Sequence, residues 1–173
     1  MASVIKVNNI QNTQSVDAIT IDTSGRVLFP NRPSWRAIMT ADQGESNFTS
    51  ETIIQFNSVS SANNAHDNAG GFDTSTYKYT IQTTGMYFIC INFRGSGLGS
   101  ASYHYVRLKK NDSEVQYVRA LEDPQGGSQG QLHVSAVLPF VAGDVIHWTY
   151  QVSGDTASYI DQATTSFEGF LIG

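Results

Sequence analysis

Four histidines, His66, His104, His133 and His147, are the side chains of this 173-residue sequence best suited to acid–base catalysis or metal binding. His66 precedes an aspartate in a Gly- and Asn-rich segment, but adjacent side chains of an extended chain point to opposite sides. The other three each lie in a stretch with the alternating pattern of a β-strand. No Gly-x-Ser-x-Gly motif, His-Glu-x-x-His motif or cysteine pair accompanies them. The sequence therefore predicts no catalytic residue and no enzyme, and it leaves open a metal bound by three histidines on a trimer axis.

Two further motifs could bind a cofactor or a metal ion. The glycine-rich segment 95–99 is superficially like a dinucleotide-binding loop, but it leads into the strand-like segment 103–106, so no helix N-terminus follows to hold a phosphate. Five aspartates fall in expected loops without the spacing of a calcium-binding EF-hand: Asp67, Asp73, Asp112, Asp155 and Asp161. We therefore expect no cofactor, no metal site and a hairpin loop at 95–99.

Charge and hydropathy exclude several classes of protein. The net charge is −5, and the ten Lys and Arg residues are not clustered, which argues against nucleic-acid binding. No apolar run approaches the ~18 residues of a membrane span, and the N-terminus lacks the pattern of a secretory signal. The single cysteine, Cys90, lies between Ile89 and Ile91, so we expect a buried apolar thiol. We expect a protein made in a cytoplasm that does not insert into a membrane.

The elements that must position these residues are β-strands. Ile (13), Val (13) and Thr (15) greatly outnumber Leu (7), and β-branched residues favour strands. About eight to ten strand-like runs alternate with turn residues, which is the spacing expected of a sandwich or a jelly roll of antiparallel strands. The clearest runs are 36–40, 52–59, 77–82, 86–93, 103–109, 114–120, 131–140, 145–152 and 165–172.

The first 32 residues differ from the rest of the chain. Their apolar side chains are sparse and alternate with polar neighbours, and turn residues at 22–25 indicate a tight hairpin. Pro30 and Pro33 mark the boundary, so we expect an N-terminal β arm over 1–32 and a jelly-roll domain over 33–173. A short β segment cannot bury itself and needs the main domain, sister chains or a docking partner to cover it. We predict an attachment arm whose contacts are made by Ile5, Val7, Ile19, Ile21, Val27 and Phe29.

Two strands are apolar on both faces. In 86–93 the residues Met86, Phe88 and Cys90 alternate with Tyr87, Ile89, Ile91 and Phe93, and the run 167–172 repeats the pattern with Phe167 and Leu171 against Phe170 and Ile172. A strand of a sandwich normally has one face exposed to water, so a second surface is needed to cover the outer apolar face of these two strands. A sister subunit is the economical explanation. The interface residues expected from this pattern are Tyr87, Phe88, Phe93, Phe167 and Phe170.

Six aromatic side chains are candidates for ligand contact, because Tyr and Trp can stack on sugar rings or anchor a protein partner. They are Tyr103, Tyr105, Tyr117, Trp148, Tyr150 and Tyr159. Most of them alternate within strands, which favours packing in the core or between subunits. Tyr159 lies in the expected loop 153–161 and is the best candidate for contact with a ligand, such as a host glycan or protein.

Several stretches of the domain resemble a known family in residue type and in order. They are Trp35-Arg36-Ala37, Ile54-Gln55-Phe56-Asn57-Ser58-Val59, the run from Gly71 to Ile81 followed by Gly85-Met86-Tyr87-Phe88, Ala142-Gly143-Asp144-Val145-Ile146, and Ser166-Phe167-Glu168-Gly169-Phe170-Leu171-Ile172. The sequence resembles the globular head domain of complement C1q, in the tumour-necrosis-factor-like jelly-roll superfamily. That resemblance implies a homotrimer, and calcium binds some members of the family.

The sequence departs from the animal members of that family. It lacks their disulfides, a collagen-like stalk and the proline usually found before Gly85. Residues 18–30 instead resemble segments that precede such domains in structural proteins of tailed bacteriophages. The resemblance implies a trimeric protein on the particle surface that contacts other virion proteins. A capsid decoration or short head fibre is favoured, because 173 residues provide no long shaft; a tail fibre or spike tip and a free carbohydrate- or protein-binding module are the alternatives.

Overall fold

Strands dominate both compact units into which the chain divides, Met1–Arg32 and Pro33–Gly173. The computed structural model describes residues 7–44, 48–97, 103–122, 129–153 and 158–173. Within these ranges the chain forms strands and one 3₁₀ turn, Ser61–Asn63, and it contains no α-helix. Nothing in the same ranges is a helix long and apolar enough to cross a membrane.

The first unit is a three-stranded antiparallel meander. Its strands are β1 (Asn9–Gln11), β2 (Asp17–Ile21) and β3 (Val27–Leu28). Asp22 closes the β2–β3 hairpin, because its carboxylate accepts the backbone N–H groups of Ser24 and Arg26 at 2.9 Å, and Gly25 adopts φ +78°. The hairpin expected from the turn residues is confirmed. No residue between 7 and 32 is buried.

The second unit contains the remaining strands. They are β4 (Ser34–Ile38), β5 (Gln43–Gly44), β6 (Thr52–Ile53), β7 (His66–Asp67), β8 (Phe72–Asp73), β9 (Lys78–Thr80), β10 (Gly85–Ser96), β11 (Tyr103–Lys110), β12 (Ser113–Glu122), β13 (Gln129–Phe140), β14 (Val145–Ser153), β15 (Tyr159–Ile160) and β16 (Ser166–Leu171).

These strands form two antiparallel sheets. In sheet I, β13 pairs with one edge of β10, while β16 pairs with the other edge and is followed by β4 and β7; the short strands β15 and β5 extend the far end of β10. Sheet II has the order β12-β11-β14-β9-β8, and β6 also pairs with β14. From β9 onward the chain crosses between the sheets after β9, β10, β12, β13 and β14, so strands that are adjacent in sequence often lie in different sheets.

The core between the sheets is aromatic. Trp35 of β4 stacks on Tyr79 of β9 with ring centroids 3.7 Å apart, and Phe167 of β16 packs edge-on against both Trp35 and Trp148 of β14. All four side chains are at most 1% exposed. Packing of this kind joins the two sheets through large apolar surfaces, each contributing about 1.5–3 kcal/mol on burial. The predicted jelly-roll sandwich is confirmed.

The strand predicted over 52–59 is largely wrong. Only β6 forms there, and the following residues make a single isolated bridge between Ser58 and Ile38. The buried side chain of Gln43 occupies backbone groups that a longer strand would use, since it donates to the carbonyl of Ile53 at 3.0 Å and accepts from the N–H of Gln55 at 2.9 Å. A side chain from a distant segment thereby replaces the ladder partner.

Candidate functional site

The outward face of sheet I is ordered into rows by the strand register. Four strands lie side by side, β4, β16, β10 and β13, and residues that are opposite each other in the register point to the same side. The first row is Ser34, Phe170, Phe88 and Val137; the second is Arg36, Glu168, Cys90 and Ser135; the third is Ile38, Ser166, Asn92 and His133. The face therefore changes from apolar to polar along the strand direction.

The apolar end of this face carries a group of exposed and half-buried apolar side chains. We call it the apolar patch and define it as Met86, Phe88, Val137, Phe170 and Ile172. Phe88 and Phe170 stack with ring centroids 5.2 Å apart, and Phe170 and Val137 are 45% and 52% exposed. Because the strands beneath are hydrogen-bonded on both sides except at β13, the patch is a rigid surface that a partner can cover.

A chain of polar contacts crosses the same four strands beside the patch. Arg36 Nε lies 3.1 Å from Glu168 Oε1, which also accepts from Ser166 Oγ at 3.0 Å. Asn92 Nδ2 donates to Ser166 Oγ at 3.3 Å, and Asn92 Oδ1 lies 2.9 Å from His133 Nδ1. Since the amide nitrogen of Asn92 is the donor to Ser166, its oxygen accepts and His133 Nδ1 carries the proton.

This polar chain has consequences for a partner that covers the face. Each residue of the chain contacts at least one other through an ion pair or a hydrogen bond, so covering the chain costs less than burying isolated polar groups. The fixed order of its groups, with the Arg36 guanidinium at one end and the His133 imidazole at the other, distinguishes one orientation of the partner from another. The face thus combines an apolar surface that favours association with a polar row that selects its geometry.

A shallow hollow of about 310 Å³ lies between the patch and the charged row. Phe88 and Phe170 form one wall, and Arg36 and Glu168 form the other. Gly169 forms part of its lining, and a Cβ atom there would clash with the ring of Trp35 and approach the Phe88 carbonyl oxygen to 3.0 Å. Glycine at this position therefore lets the core tryptophan lie directly beneath the surface strand.

The structure corrects the predicted subunit-interface residues. Tyr87, Phe93 and Phe167 point into the core between the sheets and are at most 2% exposed within one chain, so their assignment to an interface is wrong. Phe88 and Phe170 have the opposite parity and lie on the outward face. The reason is that both parities of these strands are apolar, and only the position of the second sheet decides which one is covered. Sequence reasoning placed Met86 with Phe88 but missed Val137 and the polar chain.

The histidines do not converge on one site. His66 and His133 both lie on the outward face of sheet I, but on its opposite edge strands, β7 and β13. These two strands are four strand spacings apart, which is about 19 Å. His104 points into the core and His147 lies on the other face of sheet II, 5% exposed. Among the residues that the structure describes, no three His, Cys, Asp or Glu side chains are grouped as metal ligands would be.

Burial lowers the pKa of His147 to about 4, with Lys78 adding to the effect. The unfolded chain, with an ordinary histidine pKa, binds a proton between about pH 6.5 and pH 4 that the folded protein does not, so stability falls as the pH decreases through this window. Between pH 7.5 and pH 4.5 we expect the free energy of unfolding to fall by about 2 kcal/mol more in the wild type than in His147→Gln. Urea unfolding at both pH values measures this, with the exposed His133→Gln as control; equal pH dependence in all three proteins would contradict it.

The loop carboxylates are held by protein donors. Asp67 accepts three backbone N–H groups, the shortest being that of Phe72 at 2.7 Å, and Asp73 accepts from Ser75 and Thr76. Asp112 pairs with Lys78 at 2.7 Å, whereas Asp161 lies 3.4 Å from Arg94. Asp155 is outside the described residues. These aspartates order turns and pair with cations of the same domain.

Cys90 is buried, as expected from its sequence neighbours, although its parity places it on the outward side of β10. Burial, together with the charge of Glu168, raises the pKa of its thiol to about 11. The thiolate that reactive cysteines require is therefore strongly disfavoured at neutral pH.

Tyr159, the predicted ligand contact, lies in β15 and is half-buried. It is opposite Ser96 in the register on one side and Gly44 on the other, so it belongs to the end of sheet I rather than to a free loop. Its role as a ligand contact stays a prediction.

The predicted contact residues of the arm fall into two groups. Val7, Val27 and Phe29 are exposed by 41% or more, whereas Ile19 and Ile21 are half-buried within the meander. Ile5 lies outside the described residues. The attachment role of these side chains stays a prediction.

Comparison with known proteins agrees with the arrangement of the two sheets. The family model of the C1q domain matches residues 37–172. The chain belongs to the C1q domain family. C1q domains typically form trimers and bind other proteins, and they are typically non-enzymatic. The C1q match begins within β4, so the arm lies outside it.

One solved structure that is similar to this chain is the globular domain of zebrafish complement 1qA protein. The identity is 18%, the match covers 83% of this chain and 98% of the zebrafish domain, and the TM-score is 0.55. At this identity the likeness shows the fold of the C1q domain alone. A search of curated protein sequences found no match.

Proposed function

We propose that this protein is a homotrimeric, non-enzymatic structural component of a bacteriophage particle, with the apolar patch at the subunit interface and the N-terminal arm docked to the particle. The apolar patch is the observation on which the proposed trimer rests. Phe88 and Phe170 form a stacked pair, with Phe170 45% exposed and Phe88 half-buried, on a sheet whose backbone is already hydrogen-bonded and next to the polar chain. Such a surface gains free energy when a partner covers it, at about 25 cal/mol per Å².

A ring of three copies suits this surface. The patch and the polar chain form one directional surface, so in a cyclic assembly it meets a different part of the neighbouring subunit. A closed ring leaves no copy of the patch uncovered, whereas an open chain of subunits would leave one at its end. Trimers are also the typical assembly of C1q domains.

The lack of buried side chains in the arm supports its proposed docking to the particle. Between residues 7 and 32 no side chain is buried, while Val27 and Phe29 are 54% and 45% exposed. A three-stranded meander without a core gains stability when it adds to a partner's surface. The likeness of residues 18–30 to segments of bacteriophage structural proteins supports a virion protein as that partner.

The proposed site of action is the surface of the particle, as a capsid decoration, cement protein or short head fibre made in the host cytoplasm. Its action is adhesion and mechanical reinforcement without turnover. Three arms on one trimer act together, because docking of one places the others at an effective concentration on the order of millimolar, raising apparent affinity ~10²–10⁴-fold. A tail fibre or spike tip and a free C1q-like carbohydrate- or protein-binding module are the alternatives.

Purified particles test this proposal. Quantitative mass spectrometry should find hundreds of copies for a capsid decoration and about a dozen or two for a tail appendage. Particles that lack the protein should lose their genome at lower temperature but adsorb normally to cells. Failed adsorption with unchanged particle stability, reproduced by Tyr159→Ala, would favour the tail, and absence from the particle would overturn the virion role in favour of the free module.

A further inference from the structure

The outward face of sheet II carries a second ordered surface, on the opposite side of the sandwich from the apolar patch. Along β11, His104, Val106 and Leu108 point into the core and are fully buried. Tyr103, Tyr105 and Arg107 alternate with them and therefore lie outward. In the register with β14, Tyr103 is opposite Ser153, Tyr105 is opposite Gln151, and Arg107 is opposite Thr149.

Two tyrosines on this face form a fixed aromatic corner. The rings of Tyr103 and Tyr105 meet edge to face, with centroids 4.8 Å apart and planes at 68°. Arg107 is the next outward residue of β11, and its guanidinium carbon lies 4.5 Å from the centre of the Tyr105 ring. This cation–π contact helps to fix the position of the Tyr105 ring. Tyr103 remains 37% exposed, so its ring is the one presented to a ligand.

Polar groups surround the aromatic corner and are held in place. Arg107 Nη1 donates to Gln151 Oε1 at 3.0 Å, while Gln151 Nε2 donates to the carbonyl of Thr49 at 2.9 Å. Thr149 Oγ1 donates to Glu51 Oε1 at 2.6 Å. We call the group Tyr103, Tyr105, Arg107 and Gln151 the tyrosine platform.

The charges around the platform compensate each other. Arg107 and Lys109 lie 3.5 and 3.0 Å from the carboxylate of Glu51, and Arg107 also lies 3.9 Å from Glu114. Both cations therefore form ion pairs with carboxylates of the same chain. This disfavours the binding of a phosphate, sulfate or other anionic ligand. A neutral ligand with an apolar face and polar edges fits this surface better.

We propose that the tyrosine platform binds neutral hexopyranose-type glycans. A pyranose ring presents a face of C–H groups, which packs on the electron-rich face of an aromatic ring, and hydroxyl edges, which exchange hydrogen bonds with amide, guanidinium and carboxylate groups. Tyr103 supplies the stacking surface, and Gln151, Arg107 and Glu51 supply acceptors and donors further along the same face, beside Tyr105 and beyond it.

This site is independent of the proposed assembly. The platform and the apolar patch lie on opposite outward faces of the sandwich, so a partner that covers the patch of one subunit does not by itself cover the platform of that subunit. In a trimer three platforms act together, which raises the apparent affinity for a glycan-coated surface.

A glycan array tests this inference with the full-length protein. The array carries neutral glucosides, galactosides, mannosides, fucosides and N-acetylhexosaminides beside sialylated and sulfated glycans. We expect binding to at least one neutral class, competition by the free methyl glycoside, and about a tenfold loss of affinity in Tyr103→Ala with retention in Tyr103→Phe. Gln151→Leu provides a second variant if Tyr103→Ala fails to fold, and it should also weaken binding.

Four results would overturn the inference. They are the absence of binding to any neutral glycan, binding to anionic glycans only, unchanged binding in folded Tyr103→Ala and Gln151→Leu variants, and loss of binding in Tyr159→Ala alone. The last result would move the ligand contact to the end of sheet I. Because none of these variants touches the apolar patch or the arm, failure of the glycan site leaves the oligomeric state and particle docking unchanged.

Discussion

Replacing Phe170 by Asp should convert a trimer of three times 18.9 kDa into a folded monomer. Phe170 is 45% exposed and stacks only with Phe88 at the surface of sheet I, so the isolated domain tolerates a charge there. In the trimer the same charge would be buried three times without a partner, at a cost of several kcal/mol for each copy. Light scattering after gel filtration measures the mass, and circular dichroism with thermal melting verifies the fold.

The control for this variant is Val27→Asp, which adds the same charge to an apolar side chain of similar exposure in the arm. It should remain trimeric, while Phe88→Asp should behave like Phe170→Asp. Normal trimers from the Phe170 variant would show that the side chain faces solvent in the assembly. A wild-type protein that stays monomeric at all concentrations would overturn the trimer altogether.

Removal of residues 1–32 should abolish docking to the particle while leaving a folded trimer. The domain from Pro33 onward contains both sheets and the whole aromatic core, whereas the described part of the arm contributes no buried side chain. Binding is measured by sedimentation with particles from which the protein has been deleted. We expect full-length protein to sediment with these particles and the shortened protein to remain in the supernatant.

A full-length variant provides the matched test. Val27→Ser together with Phe29→Ser removes two exposed apolar side chains but keeps the Asp22 turn that orders the hairpin. It should dock much more weakly than the wild type, because about 25 cal/mol is lost for each Å² of apolar surface that is no longer buried. If the shortened protein docks as well as the whole chain, attachment lies on the jelly roll.

The two predictions address different parts of the chain and can fail separately. A trimer that does not dock would place the C1q-like module outside the particle. Docking by a monomer would instead assign the apolar patch to a virion partner. Each outcome changes one half of the proposed function and leaves the other half intact.

The sequence by itself determined the all-β class, the jelly-roll architecture and the burial of Cys90. The class and the burial of Cys90 follow from local rules: β-branched residues favour strands, turn residues separate them, and a thiol between two isoleucines packs as a small apolar group. The jelly roll followed from the resemblance to the C1q domain. It also separated Met86 and Phe88 from Tyr87 and Phe93 by parity, because side chains alternate across a strand.

Only the tertiary structure decided which parity faces the core. Trp35 and Tyr79 occupy the space between the sheets, so Tyr87 and Phe167 pack against them while Phe88 and Phe170 are left outside. An alternating pattern that is apolar on both faces has no local feature that specifies the covered side.

The two surface sites also depended on the tertiary structure. The polar chain joins residues from β4, β10, β13 and β16, and the tyrosine platform joins β11 to Gln151 of β14. Strand register between distant segments brings these side chains within hydrogen-bond distance. Contacts of that kind are made by the pairing of sheets and leave no signal in the spacing of residues along the chain, which is why sequence reasoning found the fold but not these sites.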